Sequence, residues 1–182
     1  TVAMRYGMAP ETVARILASQ HTISPHRMAL STVNREGTSF TLIDDSFNAN
    51  PDSMKAGLNG LKAWNSNDGK EPFRVALLGA MLELGADETA LHTSIGTYAD
   101  ELGIDAIIAV GSAQDQHLDA LAQALADGAR QSQFASVDCV HDIDAAEQLV
   151  IDLARNHPDA VVLLKGSHAS GLSALAERWA KN

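Results

Sequence analysis

The chain has 182 residues, 46% hydrophobic and 20% charged, a balance that suits one globular domain with a core of its own. Its 23 acidic against 13 basic residues give a formal charge of -10 at pH 7, and no Lys/Arg cluster exists to neutralise phosphates along a duplex, so nucleic acid is not an expected partner. A small anionic ligand stays open, because helix N-termini and a few placed cations bind anions locally whatever the global charge.

Residues 1 to 20 read as helix, with Pro10 and Glu11 in the first turn and Val13, Ile16 and Leu17 at helical spacing. Pro25 in "HTISPHR" disfavours helix at Ser24 and puts a boundary near residues 20 to 27, which separates a segment 1–24 from a domain 25–182. "MALSTV" and "SFTLID" flank "NREGT", a hairpin with Gly37 in its turn. Then come helix 51–64, the polar loop "NSNDGKEP", strand 74–79, helix 87–102, strand 106–110 and helix 113–126. Strand 136–140, helix 142–155, strand 160–165 and helix 169–180 complete the chain. Strand and helix alternate five times on mostly short connections. That alternation predicts an α/β fold, a Rossmann-like, mostly parallel six-stranded sheet with helices on both faces, preceded by a short helical remnant.

Cys139 is the only cysteine, so an internal disulfide and a thiolate metal cluster are excluded, and a buried, inert thiol is expected. No apolar run has the length of a membrane span, and "TVAMRYGMAPETVARIL" lacks the apolar core of a signal peptide. A cytoplasmic protein is expected. Because the chain opens at Thr1 without an initiator Met, it is also expected to be a fragment of a longer one.

In such a sheet the ligand site lies beyond the carboxyl ends of the strands. Four segments fall there: "DDSFNANP", "GAMLELG", "GSAQDQ" and "KGSHASG". In the first, Asn50 as N-cap and Pro51 at the first helical position need no ligand. Asp44, Asp45 and Asn48 are left over, and adjacent carboxylates at a strand end repel each other unless a cation or a ligand hydroxyl uses them. A phosphoacceptor receiver domain would share the acidic pair and the terminal lysine, Lys165, but it needs an Asp ending the middle strand, where this chain has Val110 and Gly111. G-x-G-x-x-G and the P-loop pattern are both absent, and Gly69-Lys70 runs into Glu71. The seven histidines show no metal-ligand spacing; His21, His117, His141 and His157 read as surface residues. "GSHASG" is not a nucleophile elbow, which leaves a hydrolase unsupported.

"PHR" at 25–27, "LIDDSFNANPDSM" at 42–54, "LLGAMLELG" at 77–85, His92, Gly96 and "LLKGSHASGL" at 163–172 resemble, in order and spacing, the C-terminal domain of the Mur ligases. Residues 1–24 then resemble a helical tail of the family's central ATPase domain. The resemblance implies an ATP- and magnesium-dependent amide ligase of peptidoglycan synthesis, in the branch that adds D-Ala-D-Ala to UDP-N-acetylmuramoyl-tripeptide. ATP phosphorylates the substrate carboxylate, and the dipeptide amine displaces phosphate from the acyl phosphate. The P-loop and the magnesium ligands belong to the central domain, so the isolated chain is expected to be inactive. By position, Arg27 reaches the phosphates, Asp45 the ribose hydroxyls, and Asn48 lies beside them. Lys165, Gly166 and Ser167 fall on the amine-substrate side. Lys165 is read either as a catalytic cation for the dipeptide carboxylate or as a solvated strand-end lysine. Asp44, on the opposite face of its strand, is expected to matter less than Asp45.

Two positions depart from the family pattern. Ala80 stands where an Asp is usual, with Glu83 as a doubtful substitute, and Phe47 stands where Tyr is common. The alternatives are a related ligase of the folylpolyglutamate or cyanophycin synthetase type, and a stand-alone nucleotide- or ligand-binding module without catalysis.

Overall fold

A computed structural model describes residues 5–18, 25–65, 69–132 and 134–181. Helix α1 is Pro10–Ala18. The domain proper opens with β1 (Ala29–Arg35) and β2 (Thr38–Asp45), an antiparallel hairpin whose two-residue turn has φ of 45° at Glu36 and 79° at Gly37. Positive φ at both turn positions matches the twist of the flanking strands, so the five-residue loop expected from "NREGT" shrinks to two. Of the boundary expected near residues 20–27, residues 20–24, with His21, lie outside the described residues.

Next come α2 (Pro51–Ala63), β3 (Arg74–Gly79), α3 (Glu88–Glu101), β4 (Ala106–Val110) and α4 (Gln116–Ala129). The chain continues through β5 (Ser136–Val140), α5 (Ile143–Asn156), β6 (Val161–Lys165) and α6 (Leu172–Ala180). The sheet order is β1-β2-β6-β3-β4-β5, parallel throughout except at β1. This is the expected Rossmann-like architecture. Strands β3, β4 and β6 are buried at every position, which is why they read as unbroken apolar runs rather than alternating ones.

Alternate residues of the strands feed two cores. On one face Ala76, Leu78, Val161 and Leu163 pack with Met54 and Leu58 of α2, Ile95 of α3 and Leu125 of α4. On the other face Val75, Leu77, Val162 and Leu164 pack with Val150 of α5 and Leu175 and Trp179 of α6. Residues of odd number in β2 and β6 therefore point toward α2. That parity fixes where Asp45 and Lys165 go.

Helix starts are set by caps that periodicity alone misplaces. Asp115 accepts from the amides of His117 and Leu118, so α4 begins at Gln116 rather than 113. After β6, a tight turn over His168–Ser170 ends at Gly171, whose φ of 76° interrupts the helix expected from 169. At the opposite end of the sheet, the buried Arg74 donates from Nε to Leu61 O and from Nη2 to Trp64 O, tying β3 to the carbonyl-rich end of α2. His157, expected at the surface, is half-buried and stacks on Phe73 with ring centres 3.6 Å apart. His117 and His141 are exposed, as expected.

Candidate functional site

Strand β2 ends in two carboxylates on opposite faces. Asp44, 8% exposed, accepts on one oxygen from the Ser46 amide at 3.2 Å and the Ser46 hydroxyl at 2.6 Å, and its other oxygen lies 2.7 Å from His26 Nδ1. A carboxylate only accepts, so Nδ1 of His26 carries the shared proton. Asp45 lies directly across from Lys165 in the parallel ladder, and Lys165 Nζ donates to its Oδ2 at 2.5 Å. The same ammonium reaches Asn48 O at 3.4 Å, and the Met28 amide donates to Asp45 Oδ1 at 3.3 Å.

Lys165 is 1% exposed, which rules out a solvated lysine. Its stem is housed by a glycine. A Cβ on Gly57, in α2, would lie 2.7 Å from Lys165 Cδ. Only a helix lacking a side chain at that point lets the lysine run beneath it to Asp45.

Arg27 is exposed, with its guanidinium 4.2 Å from the centre of the Phe47 ring. Phe47 at this position keeps the ring that the cation stacks on. Arg27, Asp45, Phe47, Asn48, Ser53 and Lys165 line a cleft of about 170 Å³ at the N-terminus of α2. That helix is capped by itself, since Asn50 Oδ1 accepts from the Ser53 amide while Ser53 Oγ accepts from the Asn50 amide. Asn50 and Pro51 thus have the purely local role read from the sequence.

A second, larger cleft of about 560 Å³ shares the wall Asn48–Asn50 and is closed by Leu82–Leu84 and by Ser167–Ala169. Ser167 is 4% exposed, and its hydroxyl has no hydrogen-bond partner among the described residues. Gly166 and Gly79 let the two strand ends meet: a Cβ on either would come within 2.7 Å of Ser170 Oγ. Glu83 sits at the rim with φ of 63°, exposed. Ala80 is not part of the cleft lining; it is buried with Leu118 and Leu121 in a small apolar cluster. Met81 is fixed by a buried histidine. Its amide donates to His92 Nε2 at 2.9 Å, and His92 Nδ1 donates to Glu88 O at 2.7 Å. Burial holds the His92 imidazole below its ordinary value of 6.5, with the Glu88 carbonyl pulling the other way.

The structure thus gathers Arg27, Asp45, Asn48 and Lys165 around one cleft and places Ser167 in its neighbour, Gly166 supporting the join. Lys165 reaches the Asp45 side, while Ser167 alone of the "KGS" triplet lines the larger cleft, its unpaired hydroxyl buried in the wall. The "GSAQDQ" loop joins neither. Gly111 and Ala113 donate to Val140 O and His141 O, which ties that loop to the end of β5. The Cys139 thiol is pushed up by burial and by Asp119, away from the reactive thiolate. Sequence reasoning passed over His26, Gly57 and the role of His92. His26 adjoins Arg27 in the quoted "PHR", and Gly57 is one of two glycines, with Gly60, inside a helix, so both left a signal.

Rossmann-like sheets bind their small ligands at the carboxyl edge of the strands, and here that edge carries a cation, a carboxylate and an unpaired hydroxyl on two adjoining clefts. The family model described as "Mur ligase, glutamate ligase domain" matches residues 26–168, and the chain belongs to that family. It is 38% identical to the UDP-N-acetylmuramoyl-tripeptide--D-alanyl-D-alanine ligase of Mycobacterium tuberculosis (strain ATCC 25618 / H37Rv) over 184 residues, covering 97% of this chain and 35% of that protein. It superposes on MurF from Acinetobacter baumannii with a TM-score of 0.75 at 24% identity, covering 99% of this chain and 35% of that one. MurF ligase from Thermotoga maritima, in complex with ADP, gives a TM-score of 0.59 at 21% identity over 93% of this chain and 36% of that one. The chain therefore spans about a third of the length of the relatives it matches.

Proposed function

We propose that this chain is the closing C-terminal domain of a ligase that joins D-Ala-D-Ala to UDP-N-acetylmuramoyl-tripeptide in the cytoplasm, at the expense of ATP. The observation that carries the reading is the pair of clefts sharing one wall. A nucleotide-side cleft holds Arg27 and Asp45, and a larger one beside it holds an unpaired hydroxyl. The smaller cleft, about 170 Å³, falls below the roughly 300–1,000 Å³ of a complete ligand pocket, as a half-site closed by another domain would. The 38% identity to a UDP-N-acetylmuramoyl-tripeptide--D-alanyl-D-alanine ligase favours this branch over the folylpolyglutamate or cyanophycin type. A non-catalytic binding module leaves the second cleft unused.

In this reading the tripeptide carboxylate attacks the γ-phosphorus of ATP, giving an acyl phosphate and ADP. The dipeptide amine then attacks the acyl carbon, phosphate departs with the bonding electrons, and the amine loses a proton. Arg27 offsets phosphate charge as the domain closes, and its donors gain most where charge builds up between nucleophile and leaving group. Asp45 accepts from the ribose hydroxyls with lone pairs that Lys165 and Met28 leave free. Ser167 hydrogen-bonds the dipeptide, and the N-terminal end of α2 favours its carboxylate. Among the described residues no three His, Cys, Asp or Glu side chains converge on a point that could hold a metal ion, and in this reading the central ATPase domain supplies the magnesium ligands.

Ser167 supplies the test. In the full-length ligase, Ser167→Ala should raise KM for D-Ala-D-Ala roughly tenfold, the value of one hydrogen bond, and leave KM for ATP unchanged. An unchanged KM for the dipeptide would overturn the assignment of the larger cleft. Because the hydroxyl is unpaired in the free domain, the same variant should be at least as stable as the parent.

A further inference from the structure

Arg27 sits between two residues whose backbones have no ordinary reason to adopt their conformation. His26 has φ of 59° and Met28 φ of 49°, and neither is glycine. Side chains with a Cβ hold positive φ only where surrounding contacts over-determine it. Here each is fixed by one of the two carboxylates ending β2. Asp44 takes the His26 ring at 2.7 Å, and Asp45 takes the Met28 amide at 3.3 Å. A third tie closes the loop: the Phe47 amide donates to His26 O at 3.0 Å, which sets the ring under the Arg27 guanidinium.

We propose that His26 and Asp44 are positioning residues that hold the strained turn presenting Arg27, so that the acidic pair serves as a staple before either carboxylate meets a ligand. The proposal rests on Arg27 acting on the nucleotide, as read above. Asp44 is well placed for the task. Ser46 fills its other oxygen through two hydrogen bonds, so the carboxylate is fixed before His26 docks on it. Glu177, on α6, lies 3.7 Å from His26 Nε2 and holds the other side of the ring. Without the staple the turn relaxes toward negative φ, and Arg27 leaves the Phe47 ring.

Two measurements separate this proposal from the reading it rests on. In the 182-residue chain, nuclear Overhauser contacts between the Arg27 side chain and the Phe47 ring should be present in the parent and absent in His26→Ala and Asp44→Asn. His26→Asn should retain them, since its amide places a donor near the same point and Asn tolerates positive φ. In the full-length ligase, His26→Ala should lower kcat/KM for ATP roughly ten- to a hundred-fold through misplacement alone. The double variant with Arg27→Ala should be no worse than Arg27→Ala by itself. Contacts retained in His26→Ala, or losses that multiply in the double variant, would overturn the staple. Should Arg27→Ala leave activity untouched, the nucleotide reading falls while the resonance measurement still decides whether the staple exists.

Discussion

Lys165 and Asp45 meet 2.5 Å apart across adjacent parallel strands, and the lysine arrives there under a helix that has no side chain in its way. Gly57 is therefore the gate for this contact. Gly57→Ala gains about 0.5–1 kcal/mol of helix propensity and faces an overpacking cost of about 1–3 kcal/mol that the flexible lysine stem can partly relieve. Net stability should change little. The stem shifts while Nζ keeps its hold on Asp45, so the pair is displaced rather than broken, and KM for ATP in the full-length ligase should rise while thermal unfolding of the domain stays within a few degrees. Lys165→Met differs: it strands a half-buried carboxylate and should cost about 3 kcal/mol, the low end for a broken buried pair because Asp45 keeps some solvent.

Acid should weaken the domain through His92. The folded-state value is lowered by burial, so as pH falls the unfolded chain takes up the proton first. The stability contributed by neutral His92 is complete above the ordinary value of 6.5 and is lost as pH drops from there toward the folded value. Over that window it contributes up to about 1.4 kcal/mol per pH unit. His92→Gln keeps an acceptor for the Met81 amide but cannot be protonated. Denaturant titrations between about pH 7 and 5 should show a shallower loss of stability in the variant, and parallel curves would contradict the assignment.

Helices α3 and α4 cross at two glycines. A Cβ on Gly96 would lie 1.9 Å from Leu125 O, and one on Gly128 would lie 2.0 Å from Thr93 O. Both obstacles are backbone, so neither can rotate aside. Gly96→Ala should cost about 3 kcal/mol, the upper end for overpacking, and lower Tm by roughly 6–12 °C for a domain of this size. Calorimetry of the 182-residue chain measures it directly.

Much of this was legible in the sequence because parallel strands buried on both faces announce themselves as apolar runs, and the short connections leave one sensible architecture. Motif order singled out Arg27, Asp45, Asn48 and Ser167, and the structure brings them to two adjoining clefts. What side chains do to one another was not. Asp44, expected to matter less than Asp45 because it points to the other face, carries three hydrogen-bonding contacts on that face. Lys165 read equally well as a solvated strand end, since nothing in "LLKGS" reveals that Gly57, more than a hundred positions away, leaves a channel for it. Ala80, where the family's carboxylate is missing, packs with Leu118 and Leu121, a contact that the motif alone does not reveal.

The most direct measurement is the effect of Arg27→Ala on kcat/KM for ATP in the full-length ligase. Arg27 is exposed, and among the described residues its guanidinium stacks on the Phe47 ring, so its truncation should leave the fold intact. A lost charge-assisted contact of about 1.5–3 kcal/mol corresponds to a roughly ten- to hundred-fold decrease, and we expect that decrease with an unchanged KM for D-Ala-D-Ala. Unaltered kcat/KM for ATP in a properly folded Arg27→Ala enzyme would contradict the proposal that this strand mouth closes over the nucleotide.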